Sequence, residues 1–230
     1  DTDINLTHVA DTGLTTNGTF TAANSVLING TTPTLTIGDA GAEDSKIIFD
    51  GNAQDFHIGL DDSADSLTIG LGSALGTTSH MVIDANGHIT KPLQPAFLAH
   101  ASGSQNDMTS GSTATVVLST EVYDQNNDFA SNTFTAPVDG KYFLVFTSLF
   151  TDTPTDCTEI EIRINTSNRI YRLFFDPSRQ LSANGSVGLS LSTVADMDSS
   201  DTAYIQVTPA NGSSTLNIHH YTFFSGYLVA

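Results

Sequence analysis

Seven tight-turn dipeptides punctuate this chain, and they constrain its fold more than any other feature. Asn-Gly stands at positions 17–18, 29–30, 86–87, 184–185 and 211–212, and Asp-Gly at 50–51 and 139–140. Such pairs tolerate the positive φ that two-residue hairpin turns require. The segments between them are short and rich in β-branched and aromatic residues, the signature of strands. Thr, with 32 residues, favours strands, and Asn and Gly favour turns, while helix formers such as Glu and Lys are scarce. The whole chain is predicted to be all-β.

Charge narrows the function classes. The chain carries 7 Lys+Arg against 25 Asp+Glu, a formal net charge of −18. Without a basic run it offers no footprint for nucleic acid, whose phosphates need clustered Lys and Arg. An anionic membrane surface repels it for the same reason. No apolar run approaches the roughly 20 residues of a membrane span, and no membrane insertion is expected. Residues 1–10 lack the basic head and apolar run of a signal peptide and read as a cut from a longer chain. The single cysteine, Cys157, cannot form an internal disulfide, and no Cys/His spacing suggests zinc.

The two halves differ in texture. Residues 1–94 hold three aromatics, Phe20, Phe49 and Phe56, and all others follow Pro95. Lys91-Pro92-Leu93-Gln94-Pro95 forms a stiff joint. Three regions follow: a connecting segment at 1–32, a repetitive β shaft at 33–94 and a larger domain at 95–230. In the shaft, Leu35-Thr36-Ile37-Gly38 recurs as Phe56-His57-Ile58-Gly59 and Leu67-Thr68-Ile69-Gly70. Each unit has a few large apolar side chains and then a stop, too little to bury its own apolar face. The shaft is therefore expected to share its core with other copies of the chain, with an independent small β-sandwich as the competing reading.

In the larger region, residues 158–164 alternate strictly. Ile160, Ile162 and Ile164 face one way; Glu159, Glu161 and Arg163 face the other, expected to be a solvated face. Arg169 and Arg172 on the returning strand are placed to offset the acidic pair. Further strands are expected at 114–118, 142–150, 187–194, 202–208 and 216–229. About eight strands over some 135 residues fit a sandwich or jelly roll.

From Phe134 to Phe146 the sequence resembles the complement C1q/tumour-necrosis-factor-like jelly roll, with Phe134, Gly140, Tyr142 and Phe146 at that family's signature places. A closing Phe224-Ser225-Gly226-Tyr227-Leu228 resembles its last strand. Leu144 stands where the family usually has Phe, and Ser200 replaces a common Gly. The resemblance covers about 95–230. It implies a homotrimer, with Phe134, Gly140, Tyr142, Phe146, Phe224, Gly226 and Tyr227 in the fold or trimer core and the last strand near the threefold axis. The first half resembles the shaft segments of marine bacteriophage tail fibres, through runs such as Leu-Thr-Ile-Gly and Val-Ile-Asp-Ala-Asn-Gly-His-Ile.

Chemistry-bearing clusters are few. Glu159 and Glu161 form a carboxylate pair at a spacing a glycosidase can use, with a charge-balanced sheet face as the competing reading. Oxygen-rich runs, Asp61 to Asp65 and Asp196 to Asp201, suit a hard cation such as calcium or simply polar loops. His57, His80 and His88 would gather on a threefold axis only if the shaft placed one there. His219-His220, in a strand, should point to opposite faces. No nucleophile elbow or phosphate loop is present.

These readings converge on a non-enzymatic virion fibre. The head is expected to bind a host-cell surface glycan or protein, and a missing N-terminal part to join it to other tail or capsid proteins. Receptor contacts are expected in polar strand connections: Asp152, Thr153 and Asp156, then Arg179, then Asp196 and Asp198. A head fibre or capsid decoration keeps the same fold; a surface depolymerase and a secreted bacterial adhesin are the readings from other classes.

Overall fold

The computed structural model describes residues 21–212 and 215–230. The turn expected at Asn17-Gly18 and residues 1–20 of the connecting segment lie outside them. The chain divides into two compact units, residues 1–41 and 42–230. Residues 21–41 run through bends and irregular chain with no strand. Leu35-Thr36-Ile37-Gly38, expected to be a strand, is therefore not one. A strand needs a ladder of hydrogen bonds, and no described strand pairs with these residues.

The second unit opens with a five-stranded antiparallel meander. Its strands are β1 (Ser45–Phe49), β2 (Phe56–Asp61), β3 (Ser66–Leu71), β4 (Ser79–Ile83) and β5 (Ile89–Thr90), in chain order. Asp50-Gly51 and Asn86-Gly87 fall in its turns, with Gly87 at φ +85°. The register stacks apolar side chains into rows across the strands, because directly paired residues share a face. One row is Leu60, Leu67, Ile83 and Ile89; a second is Ile47, Ile58, Ile69 and Met81. A third is Phe49, Phe56 and Leu71. The other face carries His57 beside Gly70, Gly59 beside Thr68 and Asp61 beside Ser66. The loop of residues 72–78 folds back onto this second face. The Gly72 carbonyl accepts from His57 Nδ1 at 2.9 Å, and Gly76 lies against the Asp61 carboxylate.

After the Lys91-Pro95 joint come β6 (Ala96–His100), β7 (Gln105–Met108), β8 (Ala114–Thr115), β9 (Thr120–Asp124), β10 (Phe129–Ala130) and β11 (Thr133–Thr135). They are followed by β12 (Gly140–Thr151), β13 (Glu159–Thr166), β14 (Ile170–Phe175), β15 (Val187–Met197), β16 (Thr202–Ala210), β17 (Leu216–Ile218) and β18 (Phe223–Leu228). One sheet runs β10-β11-β16-β13-β14, with β8 also on β16; the other runs β7-β17-β12-β18-β6-β9, with β15 also on β12. This is a two-sheet jelly-roll sandwich, as the alternation and turn spacing predicted.

The core lies between the two sheets. Ile160, Ile162 and Ile164 of β13 are wholly buried and meet Tyr142, Leu144 and Phe146 of β12 in one cluster. Phe97 stacks on Phe134 and Phe129, with ring centroids 4.7 and 5.0 Å apart, and meets Phe224 edge-on at 5.0 Å. Gly226 makes room for this cluster. A Cβ there would stand 2.7 Å from Leu144 Cδ2 and 2.8 Å from Phe97 Cε1. Gly140 is held open for the chain end, where a Cβ would meet Leu228 Cδ1 at 2.6 Å. Tyr142 donates its hydroxyl to the Val138 carbonyl at 2.8 Å, pinning the Asp139-Gly140 turn to the core. Tyr227, paired with Phe143, turns to the outer side of the sheet and stays half-exposed.

Two strand expectations need correction. Of 114–118, only Ala114–Thr115 pairs as a strand; Val116 and Leu118 turn inward as core residues without a full ladder. The segment 216–229 is two strands. Ile218 pairs with Phe150 and Phe223 with Thr147, so four residues, 219–222, stand against two. The excess bulges out of the sheet, while buried Thr222 stays tied to the ladder. Consequently His219 and His220 do not point apart: their rings lie 4.0 Å apart in the bulge.

Candidate functional site

The sandwich has two ends, and strand direction assigns each loop to one of them. Residues 91–95 enter at the end where β18 finishes and β12 begins. Gln94 Nε2 donates to the Leu228 carbonyl at 2.7 Å, and Lys141 N to the Ala230 carbonyl at 2.8 Å. Met197, the last residue of β15, pairs with Gly140 at this same end. β12 leaves it and finishes at Thr151, on the opposite end. There the loops 101–104, 152–158 and 176–186 gather with residues 211–212 and 219–222. Thr153 N donates to the Gly185 carbonyl at 3.0 Å, and Asn217 Nδ2 to Asp152 Oδ2 at 2.7 Å. Asp107 N in turn donates to Asn217 Oδ1 at 2.9 Å.

The residues expected to touch a receptor fall on both ends. Asp152, Thr153, Asp156 and Arg179 are on the end away from the joint. Asp196 and Asp198 are on the joint end. Asp196 pairs with Arg169, whose guanidinium holds the carboxyl below its usual range through hydrogen bonds and charge. Asp198 sits in the turn closed by Asp201, whose carboxylate accepts from Asp198 N at 2.9 Å. Within the far set, Thr153 is buried, which leaves Asp152, Asp156 and Arg179 as its accessible members.

The far end also holds a ring cluster that sequence reasoning missed. Tyr221 lies 4.8 Å from His219 and 4.3 Å from His220, ring to ring, and is 61% exposed. Phe223 and His100 adjoin, 5.7 Å apart. The signal was present as His-His-Tyr between two apolar runs, but an unbroken strand reading dispersed it.

The Glu159–Glu161 pair is not a solvated face. Glu161 is buried, overlaid by Arg163 and Arg172, because β13 lies between β14 and β16 in mid-sheet. Its hydrogen bond from Arg163, outweighing burial and joined by the charges of Arg163 and Arg172, holds its carboxyl below the usual range. That is the reverse of what a general acid requires. Arg172 reaches Glu161 at 3.3 Å as expected, whereas Arg169 is diverted to Asp196.

Cations find no ready cage. Among the described residues no group of three or more His, Cys, Asp or Glu side chains is arranged to hold a metal ion. Asp61 accepts from Ser63 Oγ and Ala64 N at the β2–β3 turn. His57 is buried, His80 packs on Phe56 and His88 pairs with Asp84, so the three histidines occupy separate environments. Cys157 is buried, its thiol pushed up by that burial. A cleft of about 510 Å³ at the joint end is lined by His80, Lys91, Pro95, Val138 and Leu228 among others.

No curated protein matches the chain. Among solved structures, the globular domain of zebrafish complement 1qA protein is 20% identical with a TM-score of 0.44, covering 60% of this chain and 98% of its own. Murine APRIL at pH 8.0 is 11% identical with a TM-score of 0.44, covering 59% and 99%. The pattern of the C1q domain family matches residues 96–229, more than half the chain, and with its jelly-roll sheets the chain belongs to the C1q domain family.

Proposed function

We propose that this chain is the distal part of a bacteriophage tail fibre, carried on the virion, whose trimeric head binds a glycan or protein on the host-cell surface. Domains of the C1q/TNF class are binding modules, and their members form homotrimers. The observation that carries the reading is the polarity of the head. The preceding segment enters at one end of the sandwich, while the loops at 152–158 and 176–186 and the bulge at 219–222 gather at the other. A head mounted this way presents its connecting loops outward. Weak contacts at three such tips multiply through avidity. The repetitive segment before the joint supplies the reach.

The test uses the fluorescently labelled full chain on a panel of bacterial isolates, with protease-treated and periodate-treated cells as separate arms. Saturable binding to a subset of isolates is expected. It should weaken in the double variant Asp152→Ala, Arg179→Ala and persist in Asp198→Ala at the joint end. Absence of saturable binding to every isolate contradicts the proposal.

A further inference from the structure

The β1–β5 meander is inside out for a single chain. A half-buried antiparallel sheet turns its apolar positions inward and its polar positions to water. Here His57, Asp61, Ser66 and Thr68 are buried on the face under the 72–78 loop. The apolar rows stand uncovered: Phe49 keeps 61% of its surface, Ile89 59% and Leu60 45%. On ordinary full-exposure areas the rows display roughly 700 Å², above the 300–600 Å² of the largest patch on a typical monomer. That is close to the roughly 800 Å² each partner contributes to a standard interface.

We infer that this apolar face is where copies of the chain pack together, three sheets closing about one axis so that the core of the shaft is built from three chains. Charge leaves this face open to like chains. At −18 per chain, copies repel one another, and they can approach closely only across a surface free of charge. The three rows carry no Asp, Glu, Lys or Arg; Ser45 is the polar residue in register with them, and His80 packs beside Phe56 at the rim of the third row. Continuity points the same way. The sheet runs through residues 91–95 into a head of a family that forms homotrimers. Three chains leaving such a head have their sheets at high effective concentration, and cyclic closure satisfies all three faces alike. The inference rests on the trimeric reading of the head but not on its binding a host.

The test compares two single-cysteine additions in the full chain: Ile69→Cys in the middle apolar row and Thr90→Cys on the other face, both exposed in one chain. Native Cys157 is buried and contributes little background. Light scattering gives the mass, and native maleimide labelling the accessibility. A trimeric mass is expected, with Ile69→Cys labelling at least about tenfold slower than Thr90→Cys and forming interchain disulfides on mild oxidation. Leu60→Cys, in the adjacent row, repeats the measurement should Ile69→Cys fail to fold. A trimer whose two thiols label at equal rates overturns the inference and leaves the trimeric head standing. So does a protected thiol that forms no interchain disulfide. A monomer overturns both.

Discussion

Replacing Glu161 by Gln removes one negative charge from the middle of a sheet and keeps the shape of the side chain. Glu161 accepts a hydrogen bond from Arg163 and pairs with Arg172 at 3.3 Å. A buried charge-assisted hydrogen bond contributes about 1.5–3 kcal/mol. The Arg172 contact involves a half-exposed guanidinium and adds about 0.5 kcal/mol. Arg163 Nε already lacks a hydrogen-bond partner, so the variant leaves a cation under-compensated. The expected loss is about 2–3 kcal/mol, which for a domain of this size lowers Tm by about 6–12 °C. Thermal melts followed by circular dichroism at equal protomer concentration and pH 7 read the difference. The carboxyl is lowered from its ordinary 4.5 on folding, so its contribution is complete above the unfolded value. It is lost as pH falls through the folded value, and the gap between wild type and Glu161→Gln should narrow progressively as the pH is taken below 4.5. Equal melting at pH 7, or a gap unchanged down to pH 3, refutes the reasoning.

Further predictions concern the core and the thiol. Gly226→Ala forces a methyl against Leu144 and Phe97 and should cost about 1–3 kcal/mol, measured by denaturant unfolding. Phe97→Ala empties the centre of the aromatic stack and should cost about 3–5 kcal/mol in the same assay. Tyr142→Phe leaves the Val138 carbonyl without its donor, at about 1 kcal/mol. Cys157 should resist Ellman's reagent in the folded protein and react fully once the chain is unfolded, because burial both hides the thiol and pushes its pKa up.

Local pattern carried the fold a long way. The alternation of Ile160, Ile162 and Ile164 predicted a buried strand face, and the turn at Asp139-Gly140 followed by Tyr142, Leu144 and Phe146 predicted the strand opposite it. Alternation cannot report what lies above a face. Glu161 and Ile69 both read as one side of a strand, yet the polar one is buried under two arginines and the apolar one is open. Covering groups come from distant residues, so burial of a face depends on tertiary packing. The receptor residues show the same limit. Asp152 and Asp196 are both polar positions at strand ends, and only the direction of β12 and β15 places them at opposite ends of the sandwich. The His219–Tyr221 cluster depends on a bulge whose extra residues become visible only once 218 and 223 are both paired to β12.

The mass of the full chain in solution tests the central claim most directly. Light scattering across a dilution series should give about 73 kDa, three times the 24.3 kDa of the chain, at every concentration. A stable 24.3 kDa species would contradict the account, because the uncovered rows of β1–β5 and the trimeric head both require partner copies.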